Sequence, residues 1–145
     1  SDKIGEQEMY YHHERSAINT LDVKRSSKSI LKKNIKTLNL NKIIENSKFN
    51  NQQIDYVSID VEGYELNVLK GFDLSKYKPR ALSIEYIEPK MIKEEYYHQN
   101  INNILNSDLY KYMLNKGYHF VNWLHSDLIF VSREVFTDKI KNINV

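Results

Sequence analysis

Two apolar segments separated by a helical pattern constrain the fold of this chain more than any other feature of its sequence. Residues 54–60 (IDYVSID) predict a strand with little alternation, and residues 81–87 (ALSIEYI) predict a second buried strand. A helical stripe lies between them, formed by Leu66, Val68, Leu69 and Phe72 and ended by Gly71 and Asp73. A strand, a helix and another strand in this order favour a parallel pair covered on both faces.

The rest of the chain extends this unit into an α/β pattern. Ser107 and Asp108 predict the start of a helix, and Gly117 predicts its end. The inner face of that helix is predicted to comprise Leu109, Tyr110, Met113 and Leu114. Residues 118–123 and 127–132 predict a closing pair of strands, so the sheet is expected to be mixed and to end in an antiparallel hairpin.

The first fifty residues show weaker patterns. Residues 8–13 predict a short strand, and Leu40, Ile43 and Ile44 predict a short amphipathic helix capped by Thr37 or Asn39. Four lysines recur at a spacing of four residues, which predicts one face of a basic helix: Lys24, Lys28, Lys32 and Lys36.

Composition excludes several classes of protein. The 145 residues have the length of one ordinary domain, and the absence of cysteine excludes disulfides and thiolate metal sites. A net charge of +2 is too small to predict nucleic acid as a partner. No apolar segment has the length of a membrane span or the pattern of a signal peptide, so a cytoplasmic location without a membrane partner is expected.

Carboxylates cluster where the predicted strands end. Asp60 closes the first strand and Glu85 lies near the end of the second, so both would reach the same edge if the strands are neighbours. Ligands of open α/β sheets bind beyond such strand ends. Glu62 and Gly63 form the following loop, where backbone amides can also meet a ligand. The alternative is structural, because Glu62 and Glu65 would also stabilise the first turn of a helix.

The segment 54–72 resembles the signature of the FkbM family of S-adenosylmethionine-dependent methyltransferases. Its Asp-x-Glu-Gly-x-Glu motif corresponds here to Asp60, Glu62, Gly63 and Glu65, and its Val-Leu-Lys-Gly run to residues 68–71. Similarity continues through four flanking segments, which are residues 36–44, the strand 81–87 with Glu85, residues 114–123 and residues 126–132. The resemblance therefore covers residues 36–132.

The resemblance implies a Rossmann-like class I methyltransferase fold and S-adenosylmethionine as cofactor. The implied reaction is O-methylation of a hydroxyl on a sugar or another small metabolite. Asp60 and Glu62 are then the expected catalytic residues, with Gly63 and Asp60 binding the cofactor, and Glu85 and His125 binding the acceptor. Paired acids can also hold a divalent cation, but no metal is predicted.

One departure from the family pattern concerns glycine. The four glycines are too far apart to form the glycine-rich cofactor loop: Gly5, Gly63, Gly71 and Gly117. The chain is therefore expected to be a fragment, the C-terminal half of the fold. It is predicted to form a single domain over 1–145, with an irregular basic segment 1–35, a methyltransferase-like part 36–132 and a tail 133–145. The 54–60 strand would be an exposed apolar edge, which predicts either a homodimer or poor solubility.

Two non-enzymatic alternatives remain open at this point. The lysine-rich helix would make the chain a binding module for an anionic partner. A catalytically inactive scaffold would instead pair through its open sheet edge. Salt-dependent binding of a polyanion indicates the first alternative, and a salt-independent dimer without ligand binding indicates the second.

Overall fold

The computed structural model describes residues 1–11, 19–21, 31–86 and 100–141. The chain divides into two compact units. The first unit comprises Ser1–Gln52 and Asp60–Asp73, and the second comprises Gln53–Ile59 and Leu74–Val145. The single-domain organisation over 1–145 stays a prediction.

The first unit contains a two-stranded antiparallel sheet and two short helices. Strand β1 (Gly5–Tyr11) pairs with β2 (Leu31–Thr37) in continuous register. Helix α1 (Leu40–Glu45) follows β2, and α2 (Glu65–Lys70) lies further along the chain. The strand predicted over 8–13 is confirmed as far as residue 11, and residues 12–13 lie outside the described residues.

The predicted basic helix is wrong where the structure can test it. Lys32 and Lys36 lie in β2, and Lys32 Nζ forms a salt bridge of 3.0 Å with Glu8 on β1. Cross-strand pairing with β1 satisfies the backbone of this segment, so the four-residue lysine spacing does not decide its conformation. Lys24 and Lys28 lie outside the described residues. Segment 1–35, which was predicted to be irregular, therefore contains β1 and the first residues of β2.

Helix α1 forms as predicted, and of its two predicted caps Asn39 is the one that the structure shows. The Asn39 side chain accepts a hydrogen bond of 2.9 Å from the Lys42 backbone N–H. Thr37 instead ends β2, and its hydroxyl lies 3.2 Å from the carbonyl oxygens of Lys3 and Gly5.

The second unit is built on a four-stranded mixed sheet. Its strands are β3 (Tyr56–Ile59), β4 (Ala81–Glu85), β5 (Tyr118–Leu124) and β6 (Asp127–Ser132), in the spatial order β3-β4-β6-β5. Strands β3 and β4 are parallel, whereas β4–β6 and β5–β6 are antiparallel. The predicted mixed α/β architecture with a closing hairpin is thus confirmed. The fully buried side chains of this unit include Leu82, Ile84, Ile104, Met113, Leu128 and Phe130.

Strand β3 is shorter and more exposed than predicted. It occupies an edge of the sheet, with Tyr56 58% exposed and only Ile59 buried. The predicted edge position is confirmed, but the expectation that both faces are covered is wrong, because Tyr56 and Ser58, which share one face of the strand, are exposed. Within the described ranges no strand pairs with its outer edge, and the homodimer stays a prediction.

The helices of the second unit are α3 (Leu74–Tyr77), α4 (Ile101–Asn106), α5 (Asp108–Asn115) and α6 (Arg133–Lys141). Ser107 caps α5 as predicted, since its hydroxyl accepts a hydrogen bond of 3.1 Å from the Tyr110 N–H. Leu114 is 42% exposed, so its predicted place on the inner face of α5 is wrong. Helix α6 lies within the segment 133–145 that is predicted to be a tail.

Among the described residues, no helix has the length and apolar character needed to cross a membrane.

Candidate active site

The loop between β3 and α2 has an unusual backbone. Glu62 and Gly63 have φ values of 54° and 90°, so two consecutive residues are left-handed. Gly63 adopts this conformation without penalty, as the predicted turn requires, whereas a residue with a Cβ loses about 1–2 kcal/mol there. Other contacts must therefore hold Glu62 in place.

Glu65 provides the first of these contacts. This first residue of α2 is only 6% exposed, and its Oε1 accepts hydrogen bonds from the N–H groups of Val61 (3.2 Å) and Gly63 (2.9 Å). A buried carboxylate is stabilised by such charge-assisted bonds to backbone donors. The structural alternative therefore applies to Glu65, because its carboxylate stabilises the loop through these two hydrogen bonds.

Thr20 provides the second contact. Its hydroxyl donates a hydrogen bond of 2.8 Å to the Glu62 carbonyl oxygen, and the residue is 4% exposed. Two backbone hydrogen bonds of 2.9 and 3.0 Å join Thr20 to Tyr10 on β1. Thr20 was not predicted as part of this site, because it is 42 residues from Glu62 and no local pattern marks the contact.

The left-handed conformation of Glu62 can be tested by stability. Glu62→Gly and Glu62→Ala both remove the carboxylate, but only Gly relieves the backbone. We expect the Gly variant to be more stable than the Ala variant by about 1 kcal/mol. Urea unfolding of both variants measures this difference. Equal stabilities would contradict the strain.

A cleft of about 500 Å³ lies against this loop, within the first unit. Its volume falls within the range of small-molecule sites. The lining includes both apolar and polar residues, which are Ser1, Met9, Asn19, Thr20, Leu21, Ile35, Asp60, Val61, Glu62, Tyr64 and Val68.

Asp60 and Glu62 bring two carboxylates to this cleft. Asp60 is exposed and Glu62 is half-buried, and an oxygen of one lies within 4.8 Å of an oxygen of the other. At that separation two charges repel by about 1 kcal/mol in water, so solvent contact makes the pair tolerable. The pair can accept hydrogen bonds from hydroxyl groups or take up a proton. Its spacing also allows both carboxylates to contact one divalent cation.

The remaining predicted site residues have different surroundings. The Gly63 N–H already donates to Glu65, so a cofactor contact by Gly63 stays a prediction and would use its other backbone atoms. Glu85 ends β4 in the second unit, is half-buried, and pairs in register with Asp127 on β6. His125 is exposed in the β5–β6 turn with a φ of 55°. Acceptor binding by Glu85 and His125, and a site shared with Asp60, stay predictions.

These features define a mixed α/β protein with two carboxylates, those of Asp60 and Glu62, at a cleft of the first unit. Comparison with protein families gives a match over residues 2–120 to the model described as methyltransferase FkbM domain. The chain therefore belongs to the FkbM methyltransferase family and is a methyltransferase by that resemblance. No curated protein and no solved structure matches it.

The extent of the family match corrects the predicted one. It begins at residue 2 rather than 36 and ends at residue 120 rather than 132. Strands β1 and β2 therefore belong to the family domain, although they carry neither the acidic motif nor the glycines by which the resemblance was recognised. Membership of this family implies a methyl donor.

Proposed function

We propose that this protein is an S-adenosylmethionine-dependent O-methyltransferase that acts on a hydroxyl of a sugar or another small metabolite. The observation that carries the proposal is the Asp60–Glu62 carboxylate pair, held beside a cleft of about 500 Å³ in a chain of the FkbM family. The parallel β3–β4 pair supports a Rossmann-like arrangement, because such folds carry ligands beyond the carboxyl ends of parallel strands.

The lining of the cleft fits the proposed cofactor. Met9, Leu21 and Ile35 offer apolar surface for a planar base, and the Glu62 carboxylate suits the hydroxyl groups of a ribose. Asp60 lies at the same cleft. It would accept a hydrogen bond from the second ribose hydroxyl or face the hydroxyl oxygen of the methyl acceptor. When bound, S-adenosylmethionine supplies an electrophilic methyl group.

The protein's own contribution is positioning and proton transfer. Methyl transfer is an in-line displacement, so orientation of the acceptor accounts for much of the rate. Asp60 is exposed to the cleft and is the group that would remove the proton of the acceptor hydroxyl. Glu62, whose backbone is held by Thr20, would keep its carboxylate at a constant distance from that oxygen. Glu85 and His125 are proposed to orient the acceptor.

Binding of S-adenosylhomocysteine tests the cofactor part of this proposal. Calorimetric titration of the chain should give a micromolar dissociation constant that changes little between low and high salt. Glu62→Gln should weaken binding about tenfold, because it removes one charge-assisted hydrogen bond. Glu45→Gln, at an exposed carboxylate on α1 that does not line the cleft, is the matched control. An absence of heat, or equal weakening by both variants, would contradict the assigned cofactor site.

A further inference from the structure

A second cleft, of about 370 Å³, lies within the second unit and is lined by three cationic side chains, those of Lys78, Lys116 and Arg133. We propose that this cleft binds the phosphate or diphosphate group of a small molecule. The proposal does not depend on methyl transfer, because it concerns other residues and another cleft.

Three separate elements bring these cations together. Lys78 lies just before β4 and has a φ of 42°, Lys116 caps the C-terminus of α5, and Arg133 is the first residue of α6. The Lys78 N–H donates to the Leu74 carbonyl oxygen at 3.2 Å, so its left-handed conformation ends α3 and fixes the backbone from which this lysine extends. Lys116 Nζ lies 5.5 Å from the centroid of the Tyr112 ring, a contact that limits the positions of this cation.

The charges of the cleft are unbalanced. Elsewhere, Lys32 and Arg80 have acidic partners, Glu8 at 3.0 Å and Asp55 at 3.7 Å. None of the three cleft cations forms a salt bridge with a residue in the described part of the chain, and Glu134 is the one acidic residue in the lining. An anion in the cleft would be attracted by all three cations at once.

Neutral groups in the lining also suit a phosphate. The Ser132 hydroxyl accepts a hydrogen bond of 3.4 Å from the Val135 N–H, so its own hydrogen can be donated to a ligand oxygen. Tyr118 is 4% exposed and its hydroxyl donates to the Pro79 carbonyl oxygen at 2.9 Å. Tyr118 adds no charge to the cleft at neutral pH, since burial only raises further, to about 12, a pKa that is ordinarily about 10.

The size of the cleft selects the class of ligand. A volume of about 370 Å³ lies near the lower end of the range for small-molecule sites. Lysine binds phosphate as a point charge and arginine binds it through two parallel hydrogen bonds. The combination therefore suits one or two linked phosphate groups on a small molecule.

Titration of the full chain with inorganic diphosphate tests the proposal, with sodium chloride at matched ionic strength as the reference. We expect saturable binding by calorimetry, weakened at least about tenfold in the double variant Lys78→Gln/Arg133→Gln, since each replaced cation removes a charge-assisted contact. Glu134→Gln should tighten binding, because it removes the opposing charge. Lys42→Gln, at an exposed lysine of α1 outside this lining, should leave binding unchanged.

Two results would overturn the proposal. The first is the absence of saturable heat with diphosphate. The second is equal weakening by Lys42→Gln and by the double variant, which indicates attraction by net charge alone. All the altered side chains of the cleft are exposed, so circular dichroism and thermal unfolding of each variant without ligand should match those of the parent chain.

Discussion

Asp60→Asn should lower the turnover of methyl transfer by about 100-fold or more, because a positioned general base contributes roughly 10²–10⁴-fold to a rate. Asparagine keeps the size of the side chain and its ability to accept one hydrogen bond, but it cannot remove a proton from the acceptor hydroxyl. Asp60 is exposed. A surface substitution of this kind changes the free energy of unfolding by about 0.5 kcal/mol at most.

The measurement compares initial rates of S-adenosylhomocysteine formation with a panel of sugar acceptors, together with urea unfolding of each variant. Asp55→Asn is the matched control, since Asp55 is an exposed aspartate of the second unit whose partner is Arg80. Unchanged turnover in Asp60→Asn would remove Asp60 from the mechanism. Reduced turnover with equally reduced stability would show that the residue acts on the fold instead.

Glu65→Ala should destabilise the chain by about 2 kcal/mol, because it removes the acceptor of two backbone N–H groups, of which one belongs to a half-buried residue and the other to an exposed one. Those donors are the N–H groups of Val61 and Gly63, both bonded to one oxygen of Glu65. Glu65→Gln retains an amide oxygen at that place and loses only the charge of the acceptor. Its expected cost is therefore smaller, about 1 kcal/mol.

Urea unfolding measures the difference between these two variants, and amide hydrogen exchange locates it. Exchange at Val61 and Gly63 should be accelerated in Glu65→Ala and nearly unchanged in Glu65→Gln. If both variants are equally destabilised, the charge of Glu65 rather than its two hydrogen bonds stabilises the loop. If neither is destabilised, the loop is held by Thr20 and the neighbouring residues alone.

The acidic loop places the carboxylates of one short motif in different environments. Glu65 is buried and bonded to the loop, whereas Asp60 and Glu62 lie at the cleft. The motif resemblance treats these carboxylates alike, because spacing alone does not distinguish a buried acceptor from an exposed one. Only the backbone path through Glu62 and Gly63 separates their roles.

Local patterns predicted the elements that depend on local chemistry. Strand β6 occupies residues 127–132 as predicted, and the caps Asn39 and Ser107 form where a short polar side chain precedes an apolar stripe. The loop at Gly63 was predicted as well, because a glycine between a strand and a helix permits a left-handed turn.

Long-range contacts explain what the sequence did not predict. Strand β2 was predicted as part of a basic helix, since its lysine spacing carries no information about pairing with β1. The exposed face of β3, formed by Tyr56 and Ser58, was not predicted either, because an apolar segment does not show what covers each of its faces. The Thr20–Glu62 contact and the basic cleft join residues that are distant along the chain.

The sequence by itself determined the mixed α/β architecture, the position of the acidic loop and membership of the FkbM family. The reason is that periodicity, caps and motif spacing are properties of neighbouring residues. The tertiary structure decided which carboxylate is buried, which face of β3 is exposed and which cations share a cleft. Those outcomes depend on contacts between residues that are tens of positions apart in the sequence. The free energy of such contacts cannot be read from the pattern of neighbouring residues.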